Sequence, residues 1–213
     1  MNVGYHRKKE MFNLIELEIM KNLNHLIQTN NSIKVEKIEV VFRNVISRLI
    51  DEIKSHELVF GYIAWLTVQD VLKELKNKQC QIVLQKEDFL HPDLTSSLSN
   101  KDKQCLRYLY DNLLCNLNTT QFSYKIKELS IDGILDLTPV TCFGYYNQKL
   151  RHYTPKMHNK FFIFAKIDKK INKIQPLKVW TGSANITHMS INALENDVII
   201  DNEKIAGSLY ERI

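Results

Sequence analysis

A short helix-like stretch, "TVQDVLKELKNK" (67–78), lies between two apolar runs, "ELVFGYIAW" (57–65) and "QCQIVLQK" (79–86). No other feature constrains the fold as tightly. Both runs are rich in branched and aromatic residues, the pattern of buried strands. A strand, a short crossover helix and a second strand form a right-handed unit whose strands run parallel. Parallel sheets carry helices on their faces. The expected class is therefore α/β, with a mixed, largely parallel β-sheet flanked by helices on both faces.

The rest of the chain fits around this unit. Phe12, Ile15, Ile19, Leu23, Leu26 and Ile27 recur at helical spacing over 11–29. Residues 1–33 are read as an N-terminal helical extension and 34–213 as the main domain. A second amphipathic helix is expected over 37–54. The segment 101–117 reads as a helix, and 122–130 and 139–147 as strands. "MHNKFFIFAKI" (157–167) and the start of "KVWTGSANI" (178–186) read as strands joined by a hairpin-type loop, "DKKINKIQ". A short helix, the strand "DVIIDN" and a final helix over 203–213 complete the pattern. There is no internal repeat.

Chemistry concentrates in the C-terminal third. His158 and Lys160 are separated by one residue, so on a strand both side chains point to the same face. Gly182, Ser183 and Asn185 follow in "GSAN", and Glu195 in "ALEN". Gly182 lets another backbone approach closely, and Ser183 and Asn185 offer short donors suited to phosphate oxygens. Alone, each part has an ordinary explanation. A Lys-rich chain with seven histidines produces His-x-Lys by chance, Gly-Ser-x-Asn is a common turn, and a lone Glu is usually a solvated acid. Together, in this order, they supply a nucleophile, a cation, phosphate-binding groups and a carboxylate. Cys80, Cys105, Cys115 and Cys142 are too widely spaced for a paired zinc site. They are expected as free thiols in a reducing compartment.

These residues resemble the small, nuclease-like members of the phospholipase D superfamily. The superfamily's HKD motif reads His-x-Lys, four residues, Asp, then usually Gly-Ser-x-Asn. In the nuclease-like members Glu-Asn follows, as Glu195-Asn196 does here. The resemblance covers most of residues 37–213. It implies a phosphodiesterase that needs no metal and no cofactor, working through a covalent phosphohistidine. His158 would be the nucleophile or the general acid. Lys160 and Asn185 would neutralise the transition-state oxygens, with Ser183 and Gly182 binding phosphate. Glu195 would orient a His. Two departures stand out: Ala165 occupies the position of the family Asp, with Asp168 three residues on, and the stretch from Lys160 to Gly182 is longer than usual.

The reaction needs two histidines in opposite protonation states, and the chain holds one motif. A homodimer with two motifs facing across its axis supplies both. His152 and His188 are poorer intramolecular partners, since neither has a Lys two residues on. The net charge of +5 suits an anionic substrate. An endonuclease on DNA or RNA is the leading reading, with a groove of Lys149, Arg151, Tyr153 and Lys156. Tyr145, Tyr146 and the insertion lysines Lys166, Lys169, Lys170 and Lys173 would add to it. Two alternatives remain open: a lipid hydrolase at a membrane surface, and a catalytically degenerate dimer that binds nucleic acid. A membrane lipid ranks below nucleic acid as partner. Neither a signal peptide nor a transmembrane segment is read, so an intracellular, cytoplasmic protein is expected.

Overall fold

The computed structural model describes residues 32–86, 101–117, 138–193 and 195–211. The helical extension read over 11–29 and the strand read over 122–130 lie outside the described residues.

One eight-stranded sheet organises the chain. Its strands are β1 (Ile33–Val35), β2 (Ile38–Val41), β3 (Leu58–Ile63), β4 (Gln79–Gln85), β5 (Val140–Phe143), β8 (Lys160–Asp168), β9 (Lys173–Gly182) and β10 (Asp197–Ile200). They are ordered β1-β2-β10-β9-β8-β3-β4-β5. A separate hairpin pairs β6 (Tyr145–Asn147) with β7 (His152–Thr154). The helices are α1 (Val45–Ser55), α2 (Gln69–Leu75), α3 (Lys101–Asp111), α4 (His188–Asn192) and α5 (Glu203–Tyr210).

The β3–α2–β4 unit is present, with Leu58 opposite Gln79 in parallel register. β4 also pairs with β5 in parallel. The expectation of a largely parallel sheet is corrected beyond these strands, where every pairing is antiparallel. The reason lies in the connections: β8 and β9 are joined by a tight turn, and a link that short permits only antiparallel neighbours.

The helix expected over 37–54 is also shorter. Residues 38–41, "IEVV", form β2 and pair with both β1 and β10. Their branched side chains suit a pleated surface better than a helix. Asn44, with φ of 54°, breaks the chain before α1 begins at Val45.

Two apolar layers hold the sheet. On one face Leu49 and Ile53 of α1, Val71, Leu72 and Leu75 of α2, and Leu106 and Leu109 of α3 pack on strand residues that include Phe162, Phe164 and Trp180. On the other face Ala206 and Tyr210 of α5 cover Phe60, Phe161, Ile163, Ala165 and Val179. Helices thus lie on both faces. Asn202 starts α5 by accepting from the amides of Lys204 and Ile205. A buried carboxylate, Glu52, ties α1 to the sheet through Lys178 of β9 at 2.9 Å and pairs with Arg48 on its own helix at 2.5 Å. Arg48 also grips Glu39 of β2 at 2.8 Å. No helix among the described residues is long and apolar enough to cross a membrane.

Candidate active site

His158 lies just before β8 and Lys160 is its first residue. Along β8, Phe162 and Phe164 enter the α1–α3 layer, whereas Phe161, Ile163 and Ala165 enter the α5 layer. Alternation therefore places Lys160 on the α1–α3 side, at the open end of the β8–β9 hairpin. Its Nζ lies 3.2 Å from Nδ1 and 3.3 Å from Nε2 of His158. It also donates to the His158 carbonyl at 3.3 Å. The two side chains meet as their spacing implies. His158 is exposed and Lys160 half-buried. Loss of water lowers the Lys160 pKa, and the negative charge of Glu195 opposes that fall.

The second half of the motif closes the end of β9. Thr181 donates its hydroxyl to the Lys160 carbonyl at 3.1 Å, which ties β9 to β8 beside the ammonium. Gly182 pairs with Asp197 of β10. A Cβ on Gly182 would stand 1.8 Å from Asp197 Oδ1 and 2.4 Å from the Asn196 carbonyl, so only glycine fits. Ser183 donates its hydroxyl to Glu195 Oε2 at 2.5 Å and accepts from the Asn196 amide at 3.1 Å. Glu195 thus bonds Ser183, and among the described residues no hydrogen bond joins it to His158. Asn185 has a buried amide oxygen without a hydrogen-bond partner among the described residues.

Three residues that sequence reasoning passed over shape this end of the sheet. Trp65, in the loop after β3, meets the His158 ring edge-on with centroids 5.5 Å apart. Its carbonyl accepts from the Ile186 amide at 2.9 Å, next to Asn185. The same loop bonds the other half of the motif, because the Ala64 amide donates to the Asn159 carbonyl at 3.0 Å. Tyr110 of α3 supports the loop from behind through the Leu66 carbonyl. Asp197 is the second. It is 1% exposed and accepts from the Ala184 amide at 3.3 Å, while its Oδ2 has no partner among the described residues. Burial pushes its pKa up to about 6. Gln85 is the third, with its side-chain oxygen 2.6 Å from the Met157 amide. None of the three carries a local signal, since each acts through a contact distant in sequence.

The basic residues divide. Lys149 and Arg151 are exposed in the turn between β6 and β7, and Lys156 is exposed two residues before His158. The amides of Lys149 and Leu150 bond Asn147 Oδ1, and Arg151 has φ of 52°, so the tip is a tight turn. Tyr145 is exposed, and Tyr153 lies in β7 opposite Tyr146. The insertion lysines do not join this group. Lys169 and Lys170 sit in the turn at the closed end of the β8–β9 hairpin, with Lys166 and Lys173 in the strands beside it. Eight strand residues separate that end from Lys160, about 26 Å. Asp168 caps the same turn by accepting from the Lys170 amide at 2.9 Å. Ala165 is fully buried in the α5 layer, on the opposite face from Lys160. His188 is exposed at the start of α4, and His152 lies in β7.

Among the described residues no three His, Cys, Asp or Glu side chains are grouped to hold a metal. All four cysteines are free. Burial pushes the Cys80 thiol up to about 12, which keeps it protonated and unreactive.

No protein-family model matches the chain. An uncharacterized protein of Acanthamoeba polyphaga mimivirus is 31% identical over 198 residues, which cover 85% of this chain. The chain spans 66% of that relative's length. Among solved structures, NucT from Helicobacter pylori aligns with a TM-score of 0.50 at 18% identity, over 83% of this chain and 93% of NucT. Nuc from Salmonella typhimurium, a phospholipase D family member, aligns at 0.47 and 17% identity, over 82% of this chain and 90% of Nuc.

Proposed function

We propose that this chain, which shares the fold of NucT, is a phospholipase D-like, metal-independent phosphodiesterase, an endonuclease that cleaves DNA or RNA. The observation that carries the reading is the exposed His158 ring with the Lys160 ammonium 3.2 Å away. A nucleophile and a cation held together in this way match the needs of attack on a phosphodiester.

Two copies of the chain make one site. A ring nitrogen of one His158 forms a bond to phosphorus, and the bond from phosphorus to the leaving oxygen breaks. The partner subunit's His158, protonated, gives its proton to that oxygen. The same imidazole, now neutral, takes a proton from water as the water oxygen attacks phosphorus and the phosphorus–nitrogen bond breaks. Lys160 and the Asn185 amide donate to the non-bridging oxygens as their charge grows. Glu195 holds the Ser183 hydroxyl at 2.5 Å and so fixes the turn next to the phosphate. Across the dimer it is also the carboxylate available to orient a His. Lys149, Arg151, Tyr153 and Lys156 form the approach for the nucleic-acid backbone.

The test is a cleavage panel in excess EDTA, with single-stranded DNA, duplex DNA, RNA and cardiolipin-containing vesicles. The proposal expects cutting of at least one nucleic acid to persist in the chelator. Hydrolysis of the vesicles alone would turn the reading to a lipid hydrolase. Nucleic-acid binding without cleavage would make the chain a degenerate binding dimer.

A further inference from the structure

Resting on the reading of His158 as the reacting residue, we infer that Gln85 is a positioning residue that sets the backbone beneath it. Gln85 ends β4 and is only 6% exposed. Its side chain reaches across 72 positions in sequence, and its Oε1 accepts from the Met157 amide at 2.6 Å. Met157 is itself buried, so this bond is shielded from water and costly to lose.

The bond occupies a particular place. His158 has one anchor on each side: the Met157 amide held by Gln85, and the Asn159 carbonyl bonded to the Ala64 amide at 3.0 Å. The second anchor is backbone and present for any sequence. The first depends on one side chain. Without it, the chain between Pro155 and His158 is free to rotate, and the imidazole turns with it.

Gln85 also marks where the chain leaves the sheet and returns. Phe143 pairs with Gln85 at the end of β5, and the chain then reverses at Gly144, with φ of 100°. A Cβ on Gly144 would lie 2.8 Å from the Pro155 carbonyl and 3.0 Å from Gln85 Nε2. The β6–β7 hairpin, with Lys149 and Arg151 at its tip, therefore starts beside the Gln85 amide, and its far end at Pro155 returns beside Gly144. Gln85 thus sits beside the start of the basic hairpin and holds the amide that precedes the reacting histidine.

The test compares Gln85→Met, of similar length but without the acceptor, with Gln85→Glu, which keeps an oxygen for the Met157 amide. Two readouts are needed. The first is kcat and KM on a nucleic-acid substrate in EDTA. The second, independent of turnover, is the rate at which diethyl pyrocarbonate modifies His158, read by mass spectrometry alongside hydrogen exchange at Met157. Gln85→Met is expected to lower kcat at least about tenfold with KM within about twofold, because misplacement by a fraction of an ångström acts on the reaction step. It should also speed Met157 exchange and change the His158 modification rate by about threefold or more, with Gln85→Glu restoring each toward wild type. Unchanged kcat and unchanged His158 reactivity, alongside faster Met157 exchange, would overturn the inference. If the wild-type protein cleaves nothing in the panel, the proposed function fails, and His158 reactivity still decides the role of Gln85. Should Gln85→Met not fold, Gln85→Asn withdraws the same acceptor by one methylene and takes its place.

Discussion

Asp197 occupies the space that any side chain at Gly182 would need, with its Oδ1 1.8 Å from where a Cβ would stand. The glycine of the motif is thus set by a buried acid on the neighbouring strand. Gly182→Ala must push β10 away from β9, because the Asn196 carbonyl and Asp197 Cα also lie within 2.6 Å of that position. A loss of about 3 kcal/mol is expected, as for overpacking a tight core. Urea unfolding of the variant measures it.

Asp197 also gives the protein a pH-dependent stability. Burial, with the charge of Glu195, pushes its pKa in the folded chain up to about 6, from an ordinary value of 3.8. The folded chain therefore holds this proton over a range where the unfolded chain has lost it. The stabilisation is full below about 3.8 and disappears as pH rises through about 6. Two pH units correspond to about 3 kcal/mol at most. Asp197→Asn cannot titrate, so the difference in stability between the two proteins should change between pH 4 and 6.5 and level off above. Thermal unfolding across that range reads it.

His158→Ala and Lys160→Ala are each expected to lower cleavage in EDTA by about a thousandfold or more, since in the proposed mechanism one removes the attacking group and the other the charge on the transition state. Both side chains lie at the solvent-facing end of the site, so melting temperatures should stay close to wild type. Normal rates in both variants would overturn the site assignment.

The proposed mechanism needs a second histidine, supplied by a second copy of the chain. Sedimentation at micromolar concentration is expected to give a dimer. A monomer with full activity would show that a second histidine lies within the same chain.

Position decides which lysines matter for binding. Lys149→Ala with Arg151→Ala, on the β6–β7 hairpin, should weaken nucleic-acid binding and flatten its salt dependence by roughly two charges. Lys169→Ala with Lys170→Ala removes the same charge about 26 Å from Lys160 and should leave binding nearly unchanged. Titration at several salt concentrations separates the pairs.

Local patterns revealed what local physics builds. The β3–α2–β4 unit, the β8 strand and the His158–Lys160 pair all follow from spacing within a few residues. Residues 38–41 were misleading because their apolar spacing suits a helix as well, and only pairing with β10 makes them a strand. The lysine cluster was misleading because neighbours in sequence are carried apart by an extended hairpin. Ala165 departs from the family motif at the Asp position, and its side chain lies on the face of the sheet opposite Lys160. Gln85, Trp65 and Asp197 were invisible for one shared reason: each meets its target across a long loop or a neighbouring strand.

The hairpin geometry also accounts for the unusual length between Lys160 and Gly182. A β-hairpin grows at its closed end, where residues added in pairs leave the open end in register. The β-bulge between Phe164 and Ala165 absorbs the odd residue. Lys160 still lies beside the Thr181–Gly182 end of β9, whatever the turn beyond Asp168 contains. That turn is a place where the chain can be lengthened, shortened or fused to another polypeptide while the chemistry at the other end stays in step.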